Sequence, residues 1–265
     1  MSRSWKTTIL AALAVAGATI TPAAAYDAGG PRDPAGTGLW AAATVEPGRE
    51  GIVEVTADAG RTLGAGSTLT LTAPAGARVT GAPAAGSGYR GSVARGGGSA
   101  AYTFDGLDGL DGLDGSDVSD GARPAAWSGR TFPFVVSLPP DAEPGTRLPD
   151  CTLALRDARG TVRQRGTCAV TVGLPAPVLA RPASGVPLAA APQTSGTAYP
   201  GAQVTVRDAL EQEVCATTAA PSGTWSCVPS LALPVGAGRL QATATLNGVS
   251  AASEQIDITV AARAQ

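Results

Sequence analysis

Beyond its first 25 residues the chain alternates apolar and polar positions in short bursts, each closed by glycine, proline or aspartate. The segment STLTLT at 67–72 puts Leu69 and Leu71 on one face and Thr68, Thr70 and Thr72 on the other, the period-two pattern of a strand covered on one side. GIVEVT at 51–56 and ARVT at 77–80 read the same way, separated by turns at Pro47-Gly48, Asp58-Ala59-Gly60 and Pro74-Ala75-Gly76. FPFVVSL at 132–138 predicts another strand, in which Pro133 cannot donate to a ladder and so marks an edge or a strand start. Thr152–Arg156 and Thr167–Val172 flank the turn Asp157-Ala158-Arg159-Gly160 and predict a hairpin.

Beyond GLPAP at 173–177, where two prolines restrict the chain, strands are predicted at 203–207, 214–217, 224–227, 239–245 and 255–260. Leu240, Ala242 and Ala244 share one face, as do Ile256, Ile258 and Val260. No long 3.6-residue apolar period occurs, and the one helical option is a short piece at Ala209–Glu213. Order is expected to begin near Leu39, after a loose leader at 26–38, and the glycine-rich stretch 81–98 is expected to be mostly loop. Two layers of half-covered strands make a sandwich, so the fold class is all-β. The length accommodates two small units, a first at 39–173 and a second at 178–261, joined by a linker at 174–177.

The start of the chain has a different character. Arg3 and Lys6 precede an apolar run from Ile9 to Ile20, and Ala23-Ala24-Ala25 supplies a small-residue cleavage site, the three parts of a secretory signal. A run of about 12 residues is well short of the ~20 that span a bilayer. Cleavage at Ala25 lowers the basic side chains from 19 to 17 against 21 acidic ones, a formal charge of about -4, and leaves no lysine. That balance argues against nucleic acid and anionic membranes as partners. Neither a lipid-acceptor cysteine nor an apolar C-terminal anchor is visible, so the expected place is secreted or loosely associated with the cell surface, with no transmembrane segment in the mature chain.

Four cysteines, Cys151, Cys168, Cys215 and Cys227, then fall in an oxidising compartment. Three pairings are open; sequence neighbours, Cys151–Cys168 and Cys215–Cys227, are expected, because each pair sits in its own strand-rich region. Each closed loop would contribute roughly 3 kcal/mol. Spacings of 17 and 12, without any histidine, match no compact zinc knuckle.

The stretches SGTAYPGAQVTVRD (195–208), VCATTAAPSGTWSC (214–227) and LPVGAGRLQATAT (233–245) resemble bacterial immunoglobulin-like domains of secreted and cell-surface proteins. The resemblance covers about 177–260. It implies a seven-strand sandwich with Gly201 and Gly223 at turns, Trp225 in or near the core, Cys215 joined to Cys227, and a role as spacer, stalk or adhesive module without catalytic residues. The segment Thr44–Gly76 resembles, more faintly, the early strands of exported sandwich domains of actinobacterial type. Together these lead to an expected architecture of two immunoglobulin-like β-sandwich domains in tandem after a cleaved signal peptide.

The most unusual local sequence is DGLDGLDGLDGSDVSD at 105–120. Its aspartates, Asp105, Asp108, Asp111, Asp114, Asp117 and Asp120, are candidate calcium ligands, since calcium takes several carboxylate and carbonyl oxygens. The spacing lacks the calcium-loop order with its terminal glutamate, which favours a solvated acidic loop, and no other cofactor is implied. Leu107, Leu110 and Leu113 are candidate contacts for a partner, either an extracellular protein or a cell-envelope component, a glycan included.

Catalysis has little to work with. Ser116, Ser119 and Ser128 lie near aspartates, but a chain without histidine, and without lysine after cleavage, offers no ordinary base to activate a serine. A carboxylate pair drawn from Asp141, Glu143, Asp150 and the repeat is the remaining route, to glycoside chemistry. Trp40, Tyr89, Tyr102 and Trp127 would suit a sugar-stacking surface of a carbohydrate-binding module, although with aromatics at 4% most are expected inside. The expected role is therefore structural or adhesive rather than enzymatic.

Overall fold

In a computed structural model of the protein, the structure describes residues 38–57, 63–83, 88–106, 127 and 129–262. Among them there is no helix, and 19 strands fall in three sheets. The first ten are β1 (Leu39–Val45), β2 (Glu50–Ala57), β3 (Thr68–Thr72), β4 (Arg78–Gly81), β5 (Tyr89–Val93), β6 (Ser99–Phe104), β7 (Arg130–Ser137), β8 (Arg147–Leu148), β9 (Thr152–Arg156) and β10 (Val162–Val172). They form one mixed sheet in the order β4-β7-β2-β1-β10-β9-β3-β6-β5, with β8 on β10.

This sheet folds back on itself into a nearly closed sandwich. Leu69, Leu71, Val53, Val55, Phe132, Phe134, Leu153 and Leu155 point inward and are essentially inaccessible, and their polar neighbours in sequence face out. The sandwich expected for 39–173 carries no strand count; here β1 runs parallel to β10 from Leu39↔Gly166 to Val45↔Val172 and joins the first strand to the last. Parallel pairing leaves no short-range trace in sequence, since the partners are more than a hundred residues apart.

In the stretch 81–98, expected to be mostly loop, Gly81 ends β4 and 89–93 form β5, paired to β6, while its other described residues lie outside strands. The stretch Ala209–Glu213, the one helical option, forms the β14–β15 hairpin turn and the first residue of β15. There the Asp208 carboxylate accepts from the N–H groups of Leu210 and Gln212, both at 2.9 Å, and Glu211 has φ 59°. An aspartate that satisfies two backbone donors stabilises the turn against a helix. Pro133 lies within β7, but β4 pairs only with Val135, Val136 and Ser137, so the proline occupies a locally open edge.

The remaining strands are β11 (Val178–Arg181), β12 (Pro187–Leu188), β13 (Thr194–Thr197), β14 (Gln203–Asp208), β15 (Glu213–Thr218), β16 (Thr224–Cys227), β17 (Gly236–Leu246), β18 (Val249–Ala252) and β19 (Ile256–Val260). A three-stranded sheet, β11-β13-β16, faces a six-stranded one, β12-β19-β17-β14-β15 with β18 on β17. Between them lies a second cluster of buried side chains built from Val204, Val206, Leu240, Ala242, Ala244, Ile258 and Trp225. Cys215 on β15 is bonded to Cys227 on β16, with Cα atoms 6.0 Å apart, and so ties one sheet to the other. In the first cluster Cys151 is bonded to Cys168, with Cα atoms 5.1 Å apart.

The passage between the two clusters is short and packed. Val172 belongs to the first and Leu174 to the second, and the Gly173 N–H donates to Val45 O at 2.7 Å. Pro177 is buried as well. Asn247, in the β17–β18 turn, donates from Nδ2 to Pro144 O at 3.0 Å, and its backbone sits so close to Gly145 that a Cβ there would collide with it. Gly145 also has φ 85°, so a larger residue would be strained as well as crowded.

A similar approach governs the closing strand pair. A Cβ on Gly166 would run into the backbone carbonyl of Leu39. Gly166→Ala should therefore force β1 and β10 apart and destabilise the protein by about 1–3 kcal/mol. The readout is the urea midpoint, with Gly98→Ala, where an added Cβ meets nothing and φ is not left-handed, as the comparison; an unchanged midpoint in Gly166→Ala would show that the pair is not held this closely.

Candidate functional site

Three of the four aromatic residues considered for a sugar surface are interior. Trp127 and Tyr102 are fully buried and Tyr89 nearly so, in one cluster with Phe104, Phe132 and Phe134 whose ring centroids lie 5.0–5.3 Å apart in tilted and edge-on arrangements. Ring edges against ring faces add to the burial energy of such a cluster. The polar atoms are accounted for: Trp127 Nε1 donates to Ser67 Oγ at 2.8 Å, and the Tyr102 hydroxyl lies against the carbonyls of Pro83 (2.6 Å) and Pro133. Arg130 lies over the Tyr89 ring at 5.2 Å.

Ser67 also fixes where the Asp/Gly repeat leaves the fold. Its carbonyl accepts from Phe104 N–H, Gly66 N–H donates to Phe104 O, and its hydroxyl holds Trp127 on the far side of the repeat. Of the six candidate calcium ligands only Asp105 is described; it forms an ion pair with Arg90 at 2.9 Å. Asp108, Asp111, Asp114, Asp117, Asp120, the leucines Leu107, Leu110 and Leu113, and the serines Ser116, Ser119 and Ser128 lie outside the described residues. Asp141, Glu143 and Asp150 are all exposed on the connections after β7. A groove of about 480 Å³ lies beside that region, lined by Gly76, Ala77, Arg78, Ser137, Leu138 and Pro139, with no carboxylate in its wall. No group of three or more His, Cys, Asp or Glu side chains able to hold a metal ion occurs among the described residues.

Trp40 is different, because it lies on the outer face. Strand register places it in a row that crosses seven strands: Ser99–Thr72–Thr152–Thr167–Trp40–Thr56–Thr131. All but Ser99 and the half-buried Trp40 are exposed. Arg165 points outward two residues before Thr167, and Glu54 points outward two residues before Thr56. The indole thus has a cation on one diagonal and a carboxylate on the opposite one.

The β9–β10 hairpin beside it is strongly basic, carrying Arg156, Arg159, Arg163 and Arg165 within ten residues. Arg163 is paired to Asp157 at 2.6 Å, and Arg156 donates to Gly160 O at 3.0 Å. Asp157 is fully engaged. Burial acts to raise its pKa, but the N–H groups of Thr161 and Arg159 and the Arg163 guanidinium outweigh it and hold the carboxyl below the usual range. Arg165 makes no ion pair among the described residues.

Comparison with known proteins gives no closer guide. No protein-family model matches the chain, and no curated protein matches it in sequence. Among solved structures it is similar to a biofilm-associated protein BSP domain at 18% identity, covering 86% of this chain and 30% of that one, with a TM-score of 0.27. It is similar to the C-terminal domain of the Streptococcus agalactiae AgI/II polypeptide BspA at 8% identity, covering 83% and 95%, with a TM-score of 0.28. The D0–D1 domain of intimin is similar at 9% identity, covering 84% and 98%, with a TM-score of 0.24. The chain spans less than a third of the biofilm-associated protein. These likenesses are too remote to bear on a ligand.

The interior site makes a pH prediction. Burial pushes the Tyr102 phenol up to about 12, from the ordinary value of 10.0, and raises Tyr89 too, though Arg130 pulls the latter back. A raised pKa in the folded state means the contribution to stability is complete below the unfolded value and is lost as pH rises towards the folded one. Stability should fall between about pH 10 and 12, and Tyr102→Phe should reduce that slope in urea titrations across the range. An unchanged slope would mean that Tyr102 ionises without unfolding.

Proposed function

We propose that the chain is an exported, non-enzymatic module of the extracellular space or cell surface, serving adhesion or spacing. In this reading residues 1–25 are a signal peptide, 26–38 a leader, 39–173 a first β-sandwich, 174–177 a tight linker and 178–261 an immunoglobulin-like domain. The two bonded cysteine pairs support it, since disulfides persist in oxidising compartments.

The observation that carries the adhesive part is an apolar end on the second cluster. Leu210 in the β14–β15 turn is 73% exposed, and Val228, Leu231 and Val235 in the β16–β17 connection are 57%, 81% and 64% exposed. Ser230 N–H donates to Val214 O at 3.2 Å and brings that connection alongside the start of β15, next to the turn that carries Leu210. Scattered apolar residues are ordinary on a surface, but several gathered at one end mark a contact site. Burying them against a partner would remove apolar area from water at about 25 cal/mol per Å².

Two measurements test this reading. N-terminal sequencing and intact mass of the exported protein should show a start at Tyr26 and four oxidised cysteines. Labelled mature protein should bind intact cells or isolated envelopes, and Leu210→Ser with Leu231→Ser should reduce that binding by about tenfold with little change in Tm, because both side chains are already in water. Free thiols in the exported protein, or attachment indifferent to the double substitution, would count against it.

A further inference from the structure

We propose that the outer face around Trp40 and Arg165 is a binding site for a carboxylated sugar unit of an extracellular polysaccharide. This rests on the extracellular part of the reading above but not on the apolar end of the second cluster. In a fold that buries Tyr89, Tyr102, Phe104, Trp127, Phe132 and Phe134, the indole of Trp40 is left half-buried on the outside, among exposed threonines. A half-buried indole offers a flat apolar surface, which suits the C–H face of a pyranose ring. Thr167 and Thr56 flank it on the neighbouring strands, and Thr152 lies one strand further. Each hydroxyl can both donate to and accept from sugar hydroxyls.

Charge fixes the kind of sugar. Arg165 lies one strand over and two residues along from Trp40, about 8 Å between Cα atoms at ordinary strand spacings. That is within reach for a ring stacked on the indole to direct an exocyclic carboxylate at the guanidinium. Arginine suits this because its fork of N–H donors matches a carboxylate bidentately. The nearest acid of the hairpin, Asp157, is already held by Arg163 and two backbone N–H groups, so it does not compete for Arg165. Glu54, on the opposite diagonal, repels a carboxylate placed there and so selects one orientation of the ring. A neutral glycan can accept N–H bonds from Arg165 but gains no charge-assisted pair. A nucleic acid would bring phosphates towards Glu54 as readily as towards Arg165.

The test uses the mature full-length protein with polygalacturonate as probe, and dextran and duplex DNA as comparisons, in affinity electrophoresis and titration calorimetry. Polygalacturonate should bind and dextran should not. Arg165→Gln and Trp40→Ala should each weaken binding by about tenfold or more, the usual weight of a charge-assisted bidentate contact or a stacked ring. Arg49→Gln should leave binding unchanged, since Arg49 is also exposed but paired to Glu46 at 3.2 Å. Because Arg165 is on the surface, its variant should keep the parent Tm, so the result can be read even if Trp40→Ala fails to fold. Equal binding by wild type and Arg165→Gln, or equal binding of dextran, overturns the proposal; so does DNA binding as strong as polygalacturonate binding and equally reduced by Arg49→Gln. Loss of cell attachment in the Leu210 and Leu231 double variant, with polygalacturonate binding unaffected by Arg165→Gln, would remove the sugar site and leave the adhesive reading in place.

Discussion

The first sandwich depends on one non-local contact, the parallel pairing of β1 with β10. Seven residue pairs, from Leu39↔Gly166 to Val45↔Val172, join the beginning of the unit to its end. Without it β1 would be an edge with unpaired N–H and C=O groups, and the sheet would lose the strand that connects β2 and β7 to β9, β3 and β6. The contact tolerates no side chain at Gly166, because the Leu39 carbonyl occupies that space. Closing so long a loop is entropically costly, and the strand pairing and the interior it completes must offset that cost. The Cys151–Cys168 bond, at the start of β9 and within β10, holds the same corner from the other side.

The second cluster solves its problem differently. Its interior is made of valine, alanine and leucine in equal number with a single aromatic, Trp225, and it spreads over two separate sheets rather than one closed sheet. The Cys215–Cys227 bond joins those sheets directly. Thr194, fully buried on β13, completes the join: its hydroxyl donates to Cys227 O at 3.0 Å and lies 3.2–3.3 Å from both sulfurs. At the passage between clusters, the Gly173–Val45 and Asn247–Pro144 hydrogen bonds leave little slack.

These constraints leave the outer surfaces free to vary, and chemistry worth testing lies there. The same β1–β10 pairing that closes the sandwich sets Trp40 beside Thr167 and diagonal to Arg165. The interior aromatic cluster takes up most of the rings, and the outward, half-buried position of Trp40 follows from its place in the pleat between inward Leu39 and Ala41. Outward positions of a sheet are chosen by what they contact outside, which is why a tryptophan there is more informative than one in the core.

Much of the strand pattern could be read directly from the chain. Leu69 and Leu71, or Leu240, Ala242 and Ala244, alternate with threonines because a strand sends successive side chains to opposite faces, and that rule is local. The cysteines announced where cross-links belong, and the turns announced themselves through glycine, proline and aspartate. The strands that escaped notice, β1, β5, β6 and β13 among them, are rich in alanine, glycine, serine or threonine, and are held by partners rather than by their own apolar contrast. The sequence by itself thus determined an all-β build and its local turns, because those follow from neighbours within a few residues. Only the tertiary structure decided that ten strands share one sheet, which of the four candidate rings lies outside, and that Trp40 is diagonal to Arg165. Each of these depends on register between strands that the chain separates by tens to more than a hundred residues, a distance over which alternation carries no information.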